Sequence, residues 1–271
     1  MIGIFDSGVG GLTVFKSLLE SLPEYDYMYL GDNSRAPYGN KSHESITEFT
    51  DQAVKYLFDA GATLIIFACN TASSVALREL QRKYILEHPE NKGKKKILGV
   101  LIPMAENAVK ASKSRRIGVV GTKATINSQA YDREILKIDP SAKVYSKPCP
   151  LLVPFIEEGW QDKPEAISIL KKYLRYLKSC QIDTLLLGCT HYPFMLKHFE
   201  RIMGKKVQVV ESGPITAQSL SDYLIRHPEI ENLLTREKKR HFLTTGNPDS
   251  FKITAEKYLS LKITQPQHIE L

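Results

Sequence analysis

No stretch of this chain approaches the roughly 20 consecutive apolar residues that a membrane helix needs, which argues against a membrane protein. The opening Met1-Ile2-Gly3-Ile4-Phe5-Asp6 has neither the basic region nor the long apolar region of a signal peptide. It reads as a strand, and the expected location is the cytoplasm. Cysteine is scarce: there are four, Cys69, Cys149, Cys180 and Cys189. In a reducing compartment no disulfide framework is expected. There is no CxxC pair and no second ligand pair to join Cys189 and His191, so no metal site is expected. Low-complexity segments and long linkers are absent as well. The 271 residues, 42% apolar and 25% charged, describe a globular chain able to bury a sizeable core. A net charge of +7 raises nucleic acid as a partner. However, the basic residues come in short separate groups not interleaved with aromatics, which reads as a solvated surface. Neither nucleic acid nor a membrane is expected as a partner.

Two similar stretches organise what is there. Leu64-Ile65-Ile66-Phe67-Ala68 reads as a buried strand of a parallel sheet. Cys69-Asn70-Thr71 follows at its carboxyl end, and a helix is expected over Ala72–Tyr84, with Thr71 or Ser73 as its cap. The pattern recurs in Thr184-Leu185-Leu186-Leu187, then Gly188 and Cys189-Thr190-His191-Tyr192-Pro193. Ligands of open α/β sheets bind outside the carboxyl ends of the strands. Two thiols in matched positions of two halves therefore imply two domains facing one cleft.

Other segments fill in the layout. Ile2–Phe5 is a strand ended by Asp6-Ser7-Gly8-Val9-Gly10-Gly11. A nucleotide fingerprint needs Gly-x-Gly-x-x-Gly, but the third glycine is replaced by Thr13, and Asp6 sits where a pyrophosphate would approach. The other reading is a turn that presents Asp6 and Ser7 to a cleft. Tyr27–Leu30 is a strand leading to a loop with Asp32, Arg35, Pro37, Tyr38 and Gly39, either a binding loop or a surface turn with an Asp32–Arg35 pair. Further strands are expected at Ile97–Ile102 (ended by Pro103), Arg116–Val120, from Val144, and at Val207–Val210, with an edge strand at His241–Thr245. Helices are expected at Ser45–Phe58, Ala166–Leu177, Ile215–Ile225 and Phe251–Leu259. Of the adjacent Glu157 and Glu158, one is expected to point inward.

Cys149 between two prolines and Cys180 at a helix end read as packing residues. Cys69 and Cys189 stand beside polar residues that are costly to bury without partners. One thiol with His191 as its base suits a nucleophile. Two facing thiols suit removal of a proton from one face of a carbon and its return to the other, with Asp6 and His191 as the respective partners. No nucleotide loop and no candidate cofactor lysine is present, so no cofactor is expected.

Phe5-Asp6-Ser7-Gly8-Val9-Gly10-Gly11, Gly31-Asp32 with Arg35 and Pro37-Tyr38-Gly39, Ala68-Cys69-Asn70-Thr71-Ala72, Gly121-Thr122-Lys123-Ala124-Thr125 and Gly188-Cys189-Thr190-His191-Tyr192-Pro193 together resemble the cofactor-independent glutamate racemases of the aspartate/glutamate racemase superfamily. The motifs run in family order from residue 4 to about 193, and the last 60 residues match only loosely. The resemblance implies that Cys69 exchanges the α-proton of D-glutamate and Cys189 that of L-glutamate. Asp6 would assist Cys69, and His191 with Glu157 would assist Cys189. Ser7, Tyr38, Gly39, Asn70, Thr71, Thr122, Thr125 and Thr190, with Asp6 and His191, would hold the substrate. It also implies a homodimer and a role in supplying D-glutamate for bacterial peptidoglycan. The expected fold is two pseudo-symmetric α/β domains with mostly parallel sheets around a shared cleft, residues 1–98 with 211–271 and an inserted 99–210. The rivals are an aspartate racemase, a non-catalytic amino-acid-binding protein on the same fold, and a nucleotide-dependent oxidoreductase.

Overall fold

The structure, a computed structural model, describes all of residues 1–271. In chain order its elements are β1 (Ile2–Asp6), α1 (Leu12–Ser21), β2 (Tyr27–Gly31), α2 (His43–Asp59), β3 (Leu64–Phe67), α3 (Asn70–Val75), α4 (Leu77–Gln81), β4 (Lys96–Gly99) and α5 (Leu101–Ala111). There follow β5 (Arg116–Gly121), α6 (Lys123–Asn127), α7 (Ala130–Ile138), β6 (Lys143–Pro148), α8 (Leu152–Glu157), α9 (Pro164–Ser179), β7 (Thr184–Gly188), α10 (Leu196–Met203) and β8 (Gln208–Val210). The chain ends with α11 (Ser212–Arg226), α12 (Pro228–Glu231), β9 (Arg240–Thr244), α13 (Pro248–Leu259) and β10 (Gln267–His268).

The strands form two sheets, in the orders β10-β9-β2-β1-β3-β4 and β6-β5-β7-β8. Every pairing is parallel. Side chains alternate across a strand, so an unbroken apolar run feeds two cores. In β3, Leu64 and Ile66 enter the core under α1, α11 and α13, while Ile65 and Phe67 enter the opposite core with Val54 and Leu57 of α2. In β7, Leu185 and Leu187 pack with α9, and Leu186 packs with α5 and α7. Both sheets are thus covered on both faces, which parallel sheets require. The chain leaves the first sheet after Gly99 and rejoins it at Arg240.

Several expectations need correction. The strand expected at Ile97–Ile102 ends at Gly99, and Leu101 opens α5 with Pro103 as its third residue. Proline lacks an N–H, but the first-turn N–H groups have no helical partner anyway, so Pro103 sits inside a helix start instead of ending a strand. The helix expected over Ala72–Tyr84 begins at Asn70, breaks at Ala76 and becomes a π-turn over Arg82–Leu86. The strand near His241 lies inside the sheet, between β2 and the two-residue β10. Glu157 ends a short helix.

Candidate active site

The residues named from sequence lie at the carboxyl ends of strands in both sheets, and the two sheets turn those ends toward each other. Ser7, Gly8, Ala36, Pro37, Tyr38, Gly39, Cys69, Asn70 and Thr71 from the first meet Thr122, Val153, Glu157, Cys189, Thr190 and His191 from the second around one cavity. Its free volume is about 20 Å³, room for about one water molecule. The cleft is closed tightly, and both thiols line it.

Cys69 is itself the N-cap of α3, in place of Thr71 or Ser73: its backbone is extended and its Sγ accepts from the Ala72 N–H at 3.5 Å. The thiol points its proton at Ser7 Oγ, also 3.5 Å away. Burial, reinforced by the nearby Asp6 carboxylate, pushes this thiol up to about 12, against the pull of Ser7 and the Ala72 N–H. Asp6 is fully buried. One oxygen accepts from the Gly8 N–H at 3.0 Å and the other from the Thr190 hydroxyl at 3.4 Å. Burial raises its carboxyl above the usual range, partly offset by the charge of His191.

Cys189 has a different neighbour. His191 Nδ1 lies 3.9 Å from its sulfur, and His191 Nε2 lies 3.1 Å from Glu157 Oε1. The Nε2 contact is an ion pair without hydrogen-bond alignment, since the same nitrogen has no hydrogen-bond partner. Burial alone would lower the imidazole's pKa, but Cys189 and Glu157 outweigh it and raise it to about 10. His191 is therefore an imidazolium at neutral pH. Of the two adjacent carboxylates only Glu157 lines the cavity; both are solvent-exposed, and the Glu157 side chain is 37% exposed.

Close contacts lock the halves together. Thr13 donates to the Thr190 carbonyl at 3.1 Å. Thr71 Oγ1 meets Thr122 at 3.0 Å and Thr125 at 3.2 Å. Gly10 and Gly39 are glycines because the other half comes too near for a side chain. A Cβ on Gly10 would lie 2.4 Å from His191 Nδ1, and one on Gly39 would lie 2.6 Å from Thr122 Cβ. The Asp32 loop is no surface turn, because Asp32 is fully buried. It binds Arg35 Nε at 2.7 Å, accepts from Thr245 at 2.7 Å and accepts from the Tyr38 hydroxyl, which pins Tyr38 and Gly39 in the cavity wall.

Two residues named from sequence do not reach the cavity. Asp6 lies beneath its floor, and Thr125 stands behind Thr122. Four wall residues were missed: Gly8, Ala36, Pro37 and Val153. Gly8, Ala36 and Pro37 lie inside motifs already singled out. Val153 had no signal of its own, since an apolar side chain carries no chemical signature.

Fold and site together define an α/β protein whose two parallel sheets bring a pair of thiols to one closed cavity. The family model for Asp/Glu/Hydantoin racemase matches residues 2–220. A glutamate racemase of Geobacter metallireducens is 36% identical over 270 residues, covering 100% of this chain and 96% of that protein. Among solved structures, a glutamate racemase isoform from Bacillus anthracis aligns with a TM-score of 0.90 at 34% identity, covering 100% and 97% of the two chains. The glutamate racemase of Francisella tularensis in complex with D-glutamate gives 0.87 at 33%, covering 99% and 97%. This chain belongs to the Asp/Glu/Hydantoin racemase family.

Proposed function

We propose that this chain is a glutamate racemase that interconverts L- and D-glutamate with two thiols and no cofactor. The observation that carries the reading is the placement of Cys69 and Cys189 on one cavity, each after an equivalent strand of its own sheet and each with its own polar partner. In the L-to-D direction the Cys189 thiolate removes the α-proton of L-glutamate. The Cys69 thiol then delivers its proton to the opposite face of the resulting carbanion. This leaves a thiol at 189 and a thiolate at 69, the arrangement that D-glutamate needs for the return reaction. The His191 imidazolium, backed by Glu157, supplies positive charge beside Cys189, and Asp6 and Ser7 serve Cys69. Asn70, Thr71, Thr122 and Thr190, with the Tyr38–Gly39 segment, hold the ammonium and carboxylates, while Ala36, Pro37 and Val153 pack the methylenes. Thr125 acts by orienting Thr71 and Thr122.

The division into residues 1–98 with 211–271 and an inserted 99–210 is our domain assignment. The product D-glutamate would serve peptidoglycan synthesis. A homodimer in the cytoplasm completes the reading; no helix of the chain is long and apolar enough to cross a membrane.

The test is circular dichroism of D-glutamate in D2O without added cofactor, with NMR detection of the α-proton. Loss of optical activity with deuterium entering Cα is the expected result. Loss with aspartate but not glutamate would move the reading to the shorter substrate. No change with either, in folded and reduced protein, would overturn it.

A further inference from the structure

Tyr131 does not line the cavity, yet it is tied to a residue that does. It sits on α7, beside the second sheet, and is fully buried. Its hydroxyl crosses to the other half and donates to Oδ1 of Asn70 at 2.6 Å, its one hydrogen bond. Burial holds the phenol well above its usual pKa, so the proton stays on the oxygen at any working pH. The other end of the Asn70 amide is the complement: Nδ2 is buried and has no partner, in a side chain that forms part of the cavity wall. With Oδ1 engaged by the Tyr131 hydroxyl, the Nδ2 donors are the end of the amide left free at the cavity wall. A buried amide N–H without an acceptor costs free energy, and an acceptor arriving with the substrate removes that cost.

We infer that Tyr131 is a positioning residue: it holds the Asn70 amide so that its N–H donors meet a carboxylate of the bound substrate. Since the hydroxyl comes from one half and the amide from the other, the donor is aimed only when the cleft is closed. This rests on the glutamate reading for the identity of the ligand.

The experiment is a double-mutant cycle with Tyr131→Phe, Asn70→Ala and the pair, in the full chain, with kcat and KM for L- and D-glutamate and glutamate affinity by calorimetry. Tyr131→Phe should raise KM and Kd about tenfold, the scale of a hydrogen bond to a charged group, with kcat within about threefold. In the Asn70→Ala background the same substitution should change either constant by less than about twofold, because its target is gone. A thermal melt of each variant establishes that it is folded. Equal effects in both backgrounds, or a lowered melting temperature with unchanged KM, would overturn the inference and leave a packing role. Turnover without coupling sinks this inference alone, whereas coupled binding without turnover sinks the racemase reading alone. Neither binding nor turnover of glutamate overturns both.

Discussion

The two thiols occupy matched places, but their surroundings are built differently. Around Cys69 the neighbours are a carboxylate, a hydroxyl and a helix N–H, and burial keeps the sulfur protonated. Around Cys189 the neighbours are an imidazolium and the carboxylate that steadies it. The proposed two-base reaction treats its two sulfurs differently, and the two surroundings differ in charge: a carboxylate beside Cys69, a histidine with raised basicity beside Cys189. The Cys69 side thus favours a bound proton, and the Cys189 side carries the more basic imidazole. The backbone is nearly symmetric about the cavity, and the side chains around the two sulfurs are not.

The largest expected effect breaks the pair. Cys69→Ser and Cys189→Ser should each lower kcat by about 10³-fold, within the range for losing a general acid or base, in both directions and without loss of fold. Racemisation surviving in either variant near the native rate would mean that one thiol suffices. The equilibrium constant between enantiomers is one, so kcat/KM must fall equally from the L and D sides. The asymmetry has to be read elsewhere.

His191→Asn is the next step and reads that asymmetry. Its kcat should fall about 10²-fold, the low end for a group that assists proton transfer. The primary isotope effect should grow for L-glutamate deuterated at Cα, the enantiomer assigned to Cys189 in the proposed mechanism, and not for the D enantiomer. Equal growth on both sides would detach His191 from Cys189. The same histidine sets a pH dependence. Its pKa is raised by folding, from about 6.5 to about 10, so the native state binds the proton more tightly. The stability this contributes is complete below about pH 6.5 and is lost as pH rises through about 10. Melting temperatures of the native protein should therefore fall over that interval more steeply than those of His191→Asn.

How much of this contrast is legible in the sequence depends on its range. Unbroken apolar runs specify β1, β3 and β7, because burial on both faces of a parallel sheet leaves no other pattern. The strand-end motifs place Cys69 and Cys189 at a cleft. The sequence does not reveal the floor of that cleft. Asp6 and Thr125 sit under other residues, and the depth of a side chain depends on packing between distant segments. Pro103 misleads because a proline that ends a strand and one in a helix's first turn look alike locally. Gly10 and Gly39 look like turn residues, yet they are excluded from bearing side chains by His191 and Thr122 of the other half. Partners such as Thr245 with Asp32, more than 200 residues apart, leave no local trace.

The smallest effect concerns what carries the asymmetry: the side chains or the backbone of the Cys189 segment. The single proton of the Thr13 hydroxyl is shared between the Gly10 carbonyl at 2.9 Å and, across the cleft, the Thr190 carbonyl at 3.1 Å. It thus fixes the peptide beside Cys189 from the opposite half. Thr13→Val keeps the shape and removes the donor, at a cost of about 1 kcal/mol, or roughly 2–4 °C in melting temperature for a chain of this size. The imidazolium and Glu157 remain in place, so the isotope effects for the two enantiomers should stay near native and KM should rise about twofold at most. If Thr13→Val instead reproduced the L-side isotope effect of His191→Asn, the position of the Cys189 backbone, and not the charge beside its sulfur, would be the origin of the difference between the two thiols.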